Sequence, residues 1–151
     1  GYKKELVQVL DYLLPEGIIF CSETHDGKQT FDHSDEKALD LPFAVLVNGE
    51  SYSAAEFFAA ALNEYDKAVI VGEPTVGKSY FQNTFVLRDG SAVGLSIGKY
   101  RTPKGVSLAE EGGLKPEIEV KLDKQTAAKL TAGILLPQED PQIQAAIDAL
   151  S

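Results

Sequence analysis

Residues 43–82 read FAVLVNGESYSAAEFFAAALNEYDKAVIVGEPTVGKSYFQ, and this stretch decides the fold. Pro42 to Val47 is a short continuous apolar run, as a parallel strand buried on both faces requires. Ser53 to Glu64 follows with Phe57, Phe58, Ala61 and Leu62 along one face at helical spacing. Ala68 to Val71 is a second buried strand. Strand, helix and strand in that order make one βαβ unit, so the chain is expected to be an α/β protein.

Working outward, Tyr2 to Leu14 places Leu6, Val9, Leu10, Leu13 and Leu14 at helical spacing, and Pro15 and Gly17 stop the helix. Gly17 to Thr24 is an apolar strand, and Asp26-Gly27 signals a hairpin into Lys28–Phe31. The charged segment His33–Asp40 reads as loop. Downstream, Tyr80–Leu87 and Ser91–Tyr100 are aromatic and β-branched around Asp89-Gly90, a two-residue hairpin turn. Pro116–Leu122 reads as a last strand, Gln125–Ala132 and Pro141–Leu150 as two short helices. Glu110, Glu111, Gly112 and Gly113 read as a mobile acidic loop.

The length of 151 residues corresponds to about one domain, and 44% hydrophobic with 25% charged residues is the composition of a globular chain. Fourteen Lys plus Arg against 23 Asp plus Glu give a net charge of −9. That field opposes a nucleic-acid backbone and an anionic membrane surface as partners. A single cysteine, Cys21, excludes an internal disulfide and reads as a buried thiol; with only two histidines, His25 and His33, it leaves little for a metal site. His25 beside Asp26-Gly27 reads as a hairpin-loop residue. No cofactor and no metal are expected.

Gly72 to Ser79, GEPTVGKS, matches the phosphate-binding pattern G-x-x-x-x-G-K-[ST] letter for letter. That pattern works only where a helix starts at its Lys-Ser end, because the helix N-terminal N–H groups hold the phosphates. Tyr80 to Val86 is strand chemistry instead, and no later apolar strand ends in an acidic residue suited to Mg²⁺. Nucleotide is therefore not the expected partner.

The same residues fit a serine–lysine mechanism. A neutral lysine can act as general base. Lowering a lysine pKa from ~10.4 to ~7 takes roughly 4–5 kcal/mol of differential environment. Such a base needs a hydroxyl nucleophile and donors for an oxyanion. Ser53 sits where a buried strand and turn feed a helix, and the N–H of Ala54 in the first helical turn faces any developing negative charge. Lys78 and Gln82, four apart on a strand-like segment, fall on one face by alternation, so that Gln82 would hold the lysine amine. Ser53-x-x-Glu56 is equally a helix capping box. Ser51 is the alternative hydroxyl, with a turn-shaping role as its plainer reading. Lys78 and Gln82 taken singly would be a solvated lysine and an exposed strand residue.

The spacing resembles the catalytic stretch of the carboxyl-terminal processing proteases, also called tail-specific proteases: an apolar strand, an Asn, a Ser-x-Ser-x-x-Glu helix start, then a VGE-x-T-x-GK-x-x-x-Q turn. DGSAVGLSIGKYRTPKG resembles the family's hairpin and Tyr-x-Thr-Pro-x-Gly segment, and the Pro116–Val120 strand its Pro-Asp-Ile-x-Val strand, with Glu117 where Asp is usual. LDYLLPEG and DPQIQAAIDAL resemble the flanking segments. Tyr52 and Ala55 depart from the small-residue and serine pattern beside the nucleophile. The resemblance implies a crotonase-like α/β core of βαβ units with an added β-hairpin. It implies Ser53 as nucleophile, Lys78 as general base and Gln82 as its orienting partner, with Ala54 and Gly1 as the backbone oxyanion donors.

It further implies an endopeptidase acting on C-terminal tails of unstructured or partly unfolded proteins, located outside the cytoplasm or in a bacterial cell envelope. Family members carry a PDZ domain, and a strand with a glycine turn, ahead of the segment that matches residue 1. Residues 1–151 are therefore expected to be one partial catalytic-core domain, truncated at its N-terminus, weakly active by itself and dimeric through uncovered apolar surface. The rival readings are a non-catalytic binding or assembly module on the same fold, as in a similar retinoid-binding family, and the nucleotide binder rejected above.

Overall fold

The computed structural model describes residues 1–151. In chain order the elements are α1 (Lys3–Leu13), β1 (Gly17–Thr24), β2 (Gln29–Ser34), β3 (Phe43–Val47), α2 (Ala54–Glu64), β4 (Ala68–Gly72), β5 (Tyr80–Val86), β6 (Ala92–Arg101), α3 (Leu108–Glu111), β7 (Ile118–Glu119), α4 (Lys124–Thr131), a 3₁₀ turn at Pro137–Glu139 and α5 (Pro141–Ala149). The strands form two sheets, a parallel one in the order β3-β4-β7 and an antiparallel one in the order β2-β1-β6-β5. The mixed α/β class expected from the sequence is what forms. No helix is long and apolar enough to cross a membrane.

Helix α2 is rich in alanine, the best helix former. Ala59, Ala60 and Ala61 are all buried, which lets other elements approach the helix closely. Phe57 and Leu62 of α2 join Leu10 of α1, Leu14 just behind that helix, Ile19 and Phe20 of β1, Val47 of β3, Ile70 of β4 and Tyr100 of β6 in one apolar core. Three rings from three elements meet there. Phe20 and Phe57 lie 4.7 Å apart, and Tyr100 lies 5.6 Å from each. Each such pair contributes about 0.5–1.5 kcal/mol beyond its buried area.

Four boundaries differ from expectation. β2 runs from Gln29 to Ser34, so His33 and Ser34 are strand rather than loop. The last strand is only Ile118–Glu119, because the Val120 carbonyl leaves the sheet to accept from Gln142 Nε2 of α5 at 2.8 Å. The supposed acidic loop is a helical turn, α3, with Ser107 as N-cap and Gly112 in the left-handed region behind it. Lys78 lies ahead of β5, which starts at Tyr80.

Register places the site. β3 and β4 are paired from Phe43↔Ala68 to Val47↔Gly72, so their C-terminal ends are level. The connections leaving those ends, residues 48–53 and 73–79, therefore emerge side by side. The C-terminal edge of a parallel sheet is where open α/β folds build their sites.

Candidate active site

The first connection is shaped by Asn48 and Ser51. The Asn48 side-chain oxygen accepts from Glu50 N at 2.9 Å, Ser51 N donates to Asn48 O at 2.9 Å, and Asn48 N donates to Ser51 Oγ at 3.1 Å. Ser51 thus shapes the turn, its plainer reading. The turn delivers Ser53 in an unusual conformation, φ 59° and ψ −124°. A residue with a Cβ held there costs of order 1–3 kcal/mol, a cost that persists only where the surroundings enforce it. Ser53 is also the N-cap of α2, and the capping box with Glu56 is present. The structural and the chemical readings of Ser53-x-x-Glu56 are therefore compatible.

Glu56 does more than cap. It is fully buried. Its Oε1 accepts from Ser53 N at 2.9 Å and Lys78 N at 2.6 Å; its Oε2 accepts from Thr75 Oγ1 at 2.7 Å and Gly77 N at 2.8 Å. One carboxylate ties the Ser53 turn to the Lys78 turn. The N–H groups of Gly77 and Lys78, which a phosphate loop would offer to a nucleotide, are already occupied. The strand expected behind Lys78 is present as β5, so the helix that such a loop requires does not follow it.

The second connection is braced from its other side. Thr75 N donates to Leu114 O at 3.0 Å, Leu114 N to Thr75 Oγ1 at 2.8 Å and Ala109 N to Ser79 Oγ at 3.0 Å. Gly77 has φ +83°, and a Cβ there would stand 2.7 Å from Gly113 N and 2.9 Å from Leu108 O. The segment around α3 is therefore the back wall of the Lys78 turn. Val76 N donating to Ser51 O at 3.0 Å completes the link between the two connections.

The expected residues meet only in part. Ser53, Ala54, Gly1 and Gln82 line one cleft of about 570 Å³, floored by Leu6, Phe20 and Phe57. A Cβ on Gly1 would stand 3.2 Å from Ala54 Cβ, so the two candidate oxyanion residues adjoin. The N–H of Ala54, first residue of α2, has no partner within the helix. Lys78 is half-buried, with its Nζ 5.9 Å from the centre of the Tyr52 ring and no carboxylate within ion-pair distance. It makes no hydrogen bond to Ser53. The Gln82 amide donates to Ser96 Oγ at 3.2 Å and Tyr80 O at 3.4 Å. Strand alternation does not link it to Lys78, because Lys78 is not on the strand. No group of three or more His, Cys, Asp or Glu side chains converges.

Tyr100 is a site residue whose role no local sequence pattern announces. Its hydroxyl donates to the Lys78 carbonyl and lies 3.5 Å from Ser53 Oγ. Glu56, Thr75 and Tyr100 all stand inside the quoted sequence patterns, and an acid within the apolar run AAEFFAAA was the signal for Glu56. Burial pushes the Tyr100 phenol above its ordinary value of 10.0; the Ser53 hydrogen bond opposes the rise and the nearby Glu56 charge adds to it. The folded state therefore favours the neutral phenol. Its contribution to stability is fully present below pH ~10 and is lost as pH rises through the folded value. Urea unfolding followed from pH 8 to 11.5 should show this alkaline loss. Tyr100→Phe should reduce it, leaving the shares of Tyr65 and Cys21, which burial also raises, and of Lys121, raised by its hydrogen bond to Glu119. An unchanged alkaline slope in that variant contradicts the assignment.

A strained serine at a strand–turn–helix junction, clamped to a lysine turn over an apolar cleft, is an arrangement suited to acyl transfer. The family model for peptidase family S41 matches residues 1–120. The carboxyl-terminal-processing protease of Synechocystis sp. (strain PCC 6803) is 35% identical over 139 residues, covering 91% of this chain and 31% of that protein. A protein of Staphylococcus aureus (strain N315) named "Probable CtpA-like serine protease" is 36% identical over 128 residues, covering 82% of this chain and 26% of that protein. Among solved structures, a photosystem II D1 C-terminal processing protease superposes with a TM-score of 0.73 at 28% identity, covering 95% of this chain and 37% of that one. The chain belongs to peptidase family S41, the family of the carboxyl-terminal-processing serine proteases. It spans about a third or less of the length of these curated relatives.

Proposed function

We propose that this chain is the catalytic core of a serine endopeptidase in which Ser53 attacks the scissile carbonyl and Lys78 is the general base. The observation that carries this is the enforced positive φ of Ser53 beside a turn that Glu56 locks to it. The N–H of Ala54, with Gly1 next to it, receives the oxyanion. Gln82 enters from the rim of the cleft; its orienting role requires its amide to leave Ser96 when substrate binds. Lys78 reaches Ser53 by swinging its half-buried side chain off Tyr52. Hydrogen bonds in ligand-free sites are commonly long and tighten in the complex.

The substrates are C-terminal tails of unstructured or partly unfolded polypeptides, lying across the apolar floor of Leu6, Phe20 and Phe57. The resemblance carries with it a crotonase-like arrangement of the core and a location outside the cytoplasm, in a bacterial cell envelope. Self-association belongs to the same reading, since Tyr2 ahead of α1, Val9 and Tyr12 on α1 and Leu46 on the edge strand β3 are exposed. Sedimentation at low micromolar concentration should give a dimer, and a monomer contradicts that point.

The general-base role is tested with two variants. Lys78→Ala and Lys78→Arg should both reduce cleavage of an unfolded polypeptide by at least ~10²-fold, the scale of a lost acid–base group. Arginine keeps the charge and length but does not give up its proton in this range. Retained turnover in Lys78→Arg excludes proton transfer through that side chain.

A further inference from the structure

Tyr100 is held as few surface-site residues are. It is 6% exposed, and its ring is bracketed by Phe20 of β1 and Phe57 of α2, with the Phe57 contact edge-on at 71°. Its main chain is also fixed, since Tyr100 N donates to Ser79 O at 2.9 Å, one residue beyond Lys78. The phenol oxygen is therefore a rigid point. That point touches both residues of the proposed dyad. Its single proton goes to the Lys78 carbonyl, and the same oxygen stands 3.5 Å from Ser53 Oγ. The second distance is at the outer limit of a hydrogen bond. Burial keeps the phenol neutral, so the donor is not lost near neutral pH.

The two polar groups of the Lys78 main chain are thus satisfied from opposite sides: the N–H by Glu56 and the carbonyl by Tyr100. With both fixed, the direction in which the lysine side chain leaves the turn is fixed too. On the other side, a rigid oxygen against Oγ restricts rotation of the Ser53 hydroxymethyl group. We infer that Tyr100 is a positioning residue that sets the separation and mutual orientation of Ser53 and Lys78, acting through the Lys78 carbonyl and Ser53 Oγ rather than on substrate.

This rests on the assignment of Ser53 and Lys78 above. Misplacing reacting groups by about 1 Å can cost ~10² in rate. Tyr100→Phe keeps the ring and its aromatic contacts and removes only the oxygen, so the variant should fold.

The test uses the 151-residue chain and a fluorophosphonate probe that phosphonylates activated serines with release of fluoride, the modified residue being located by peptide mass mapping. The limiting rate of modification and the half-saturating probe concentration are measured separately at 20 °C, beside the melting curve. Tyr100→Phe should modify Ser53 about 10–100-fold more slowly at saturation, with half-saturation unchanged and a folded circular-dichroism spectrum. Modification at the wild-type rate overturns the inference. So does a loss carried wholly by weaker probe binding, which would assign Tyr100 to the cleft wall. A variant already unfolded at 20 °C also overturns it, because the role is then one of stability. If the wild-type chain is not modified at Ser53, the assignment of the nucleophile falls and this inference with it. That outcome is read in wild type alone and is distinct from a failure confined to Tyr100→Phe.

Discussion

Glu56→Ala should cost this protein roughly 3–5 kcal/mol, the range for breaking a buried charged network by removing one partner. The carboxylate is fully buried and accepts from four donors, Ser53 N, Thr75 Oγ1, Gly77 N and Lys78 N. Alanine leaves all four without an acceptor, and a buried unpaired donor costs about 1–3 kcal/mol. Water entering the cavity recovers part of that sum. Against a total stability of about 5–15 kcal/mol for a domain, the expected loss brings the variant close to unfolding at 37 °C. Urea denaturation should show a midpoint far below that of wild type. Glu56→Gln should fall between the two, since its amide keeps one acceptor oxygen but presents hydrogens to two of the donors. A Glu56→Ala variant within 1 kcal/mol of wild type would mean that the carboxylate does not hold the two turns together.

Ser53 should respond in opposite directions in stability and in activity. Its φ of 59° and ψ of −124° lie where glycine sits without strain. Ser53→Gly loses the cap, worth only a few tenths of a kcal/mol for glycine, and relieves a conformational cost of order 1–3 kcal/mol. Ser53→Ala keeps the strained Cβ and loses the cap as well. Ser53→Gly should therefore be more stable than Ser53→Ala by about 1 kcal/mol or more. Both should lose essentially all hydrolysis, a fall on the order of 10⁴–10⁶ where a serine nucleophile is removed. The pair separates strain from chemistry. Equal melting temperatures for the two variants contradict the claim that the backbone at Ser53 is held against its preference.

The parts of the fold legible in the sequence are those written in local pattern. FAVLV and AVIVG have a continuous apolar character and form β3 and β4, but only β4 is largely buried: β3 is the edge of its sheet, where Val47 is buried and Leu46 is exposed. Asp89-Gly90 marks the β5–β6 turn, though as the end of a three-residue loop, Arg88–Gly90, rather than the expected two-residue turn: Leu87 N donates to Ser91 O, and Gly90 supplies the positive φ, +85°. Ser53 and Ala54 were readable as a turn feeding a helix. What the sequence did not reveal is long-range. Glu56 shows its capping role locally, but its other three donors lie 19, 21 and 22 residues away. Tyr100 is 22 residues from the carbonyl it holds and 47 from Ser53. The stretch SLAEEGG is too short for helical periodicity to declare itself, and its docking on Thr75 and Gly77 depends on a glycine at each contact. Lys78 and Gln82 were placed on one strand face because YFQNTFV extends naturally backward. The strand begins only at Tyr80, because the Lys78 N–H and carbonyl are taken by the Glu56 and Tyr100 side chains rather than by a neighbouring strand.

The most direct measurement is the site of covalent capture. The chain is incubated with the fluorophosphonate probe at neutral pH, digested and mapped by mass spectrometry, with Lys78→Ala treated in parallel. The account predicts one modified residue, Ser53, and its disappearance or near-disappearance in Lys78→Ala. Modification of Ser51 in place of Ser53, or capture of Ser53 at the same rate without Lys78, would contradict it.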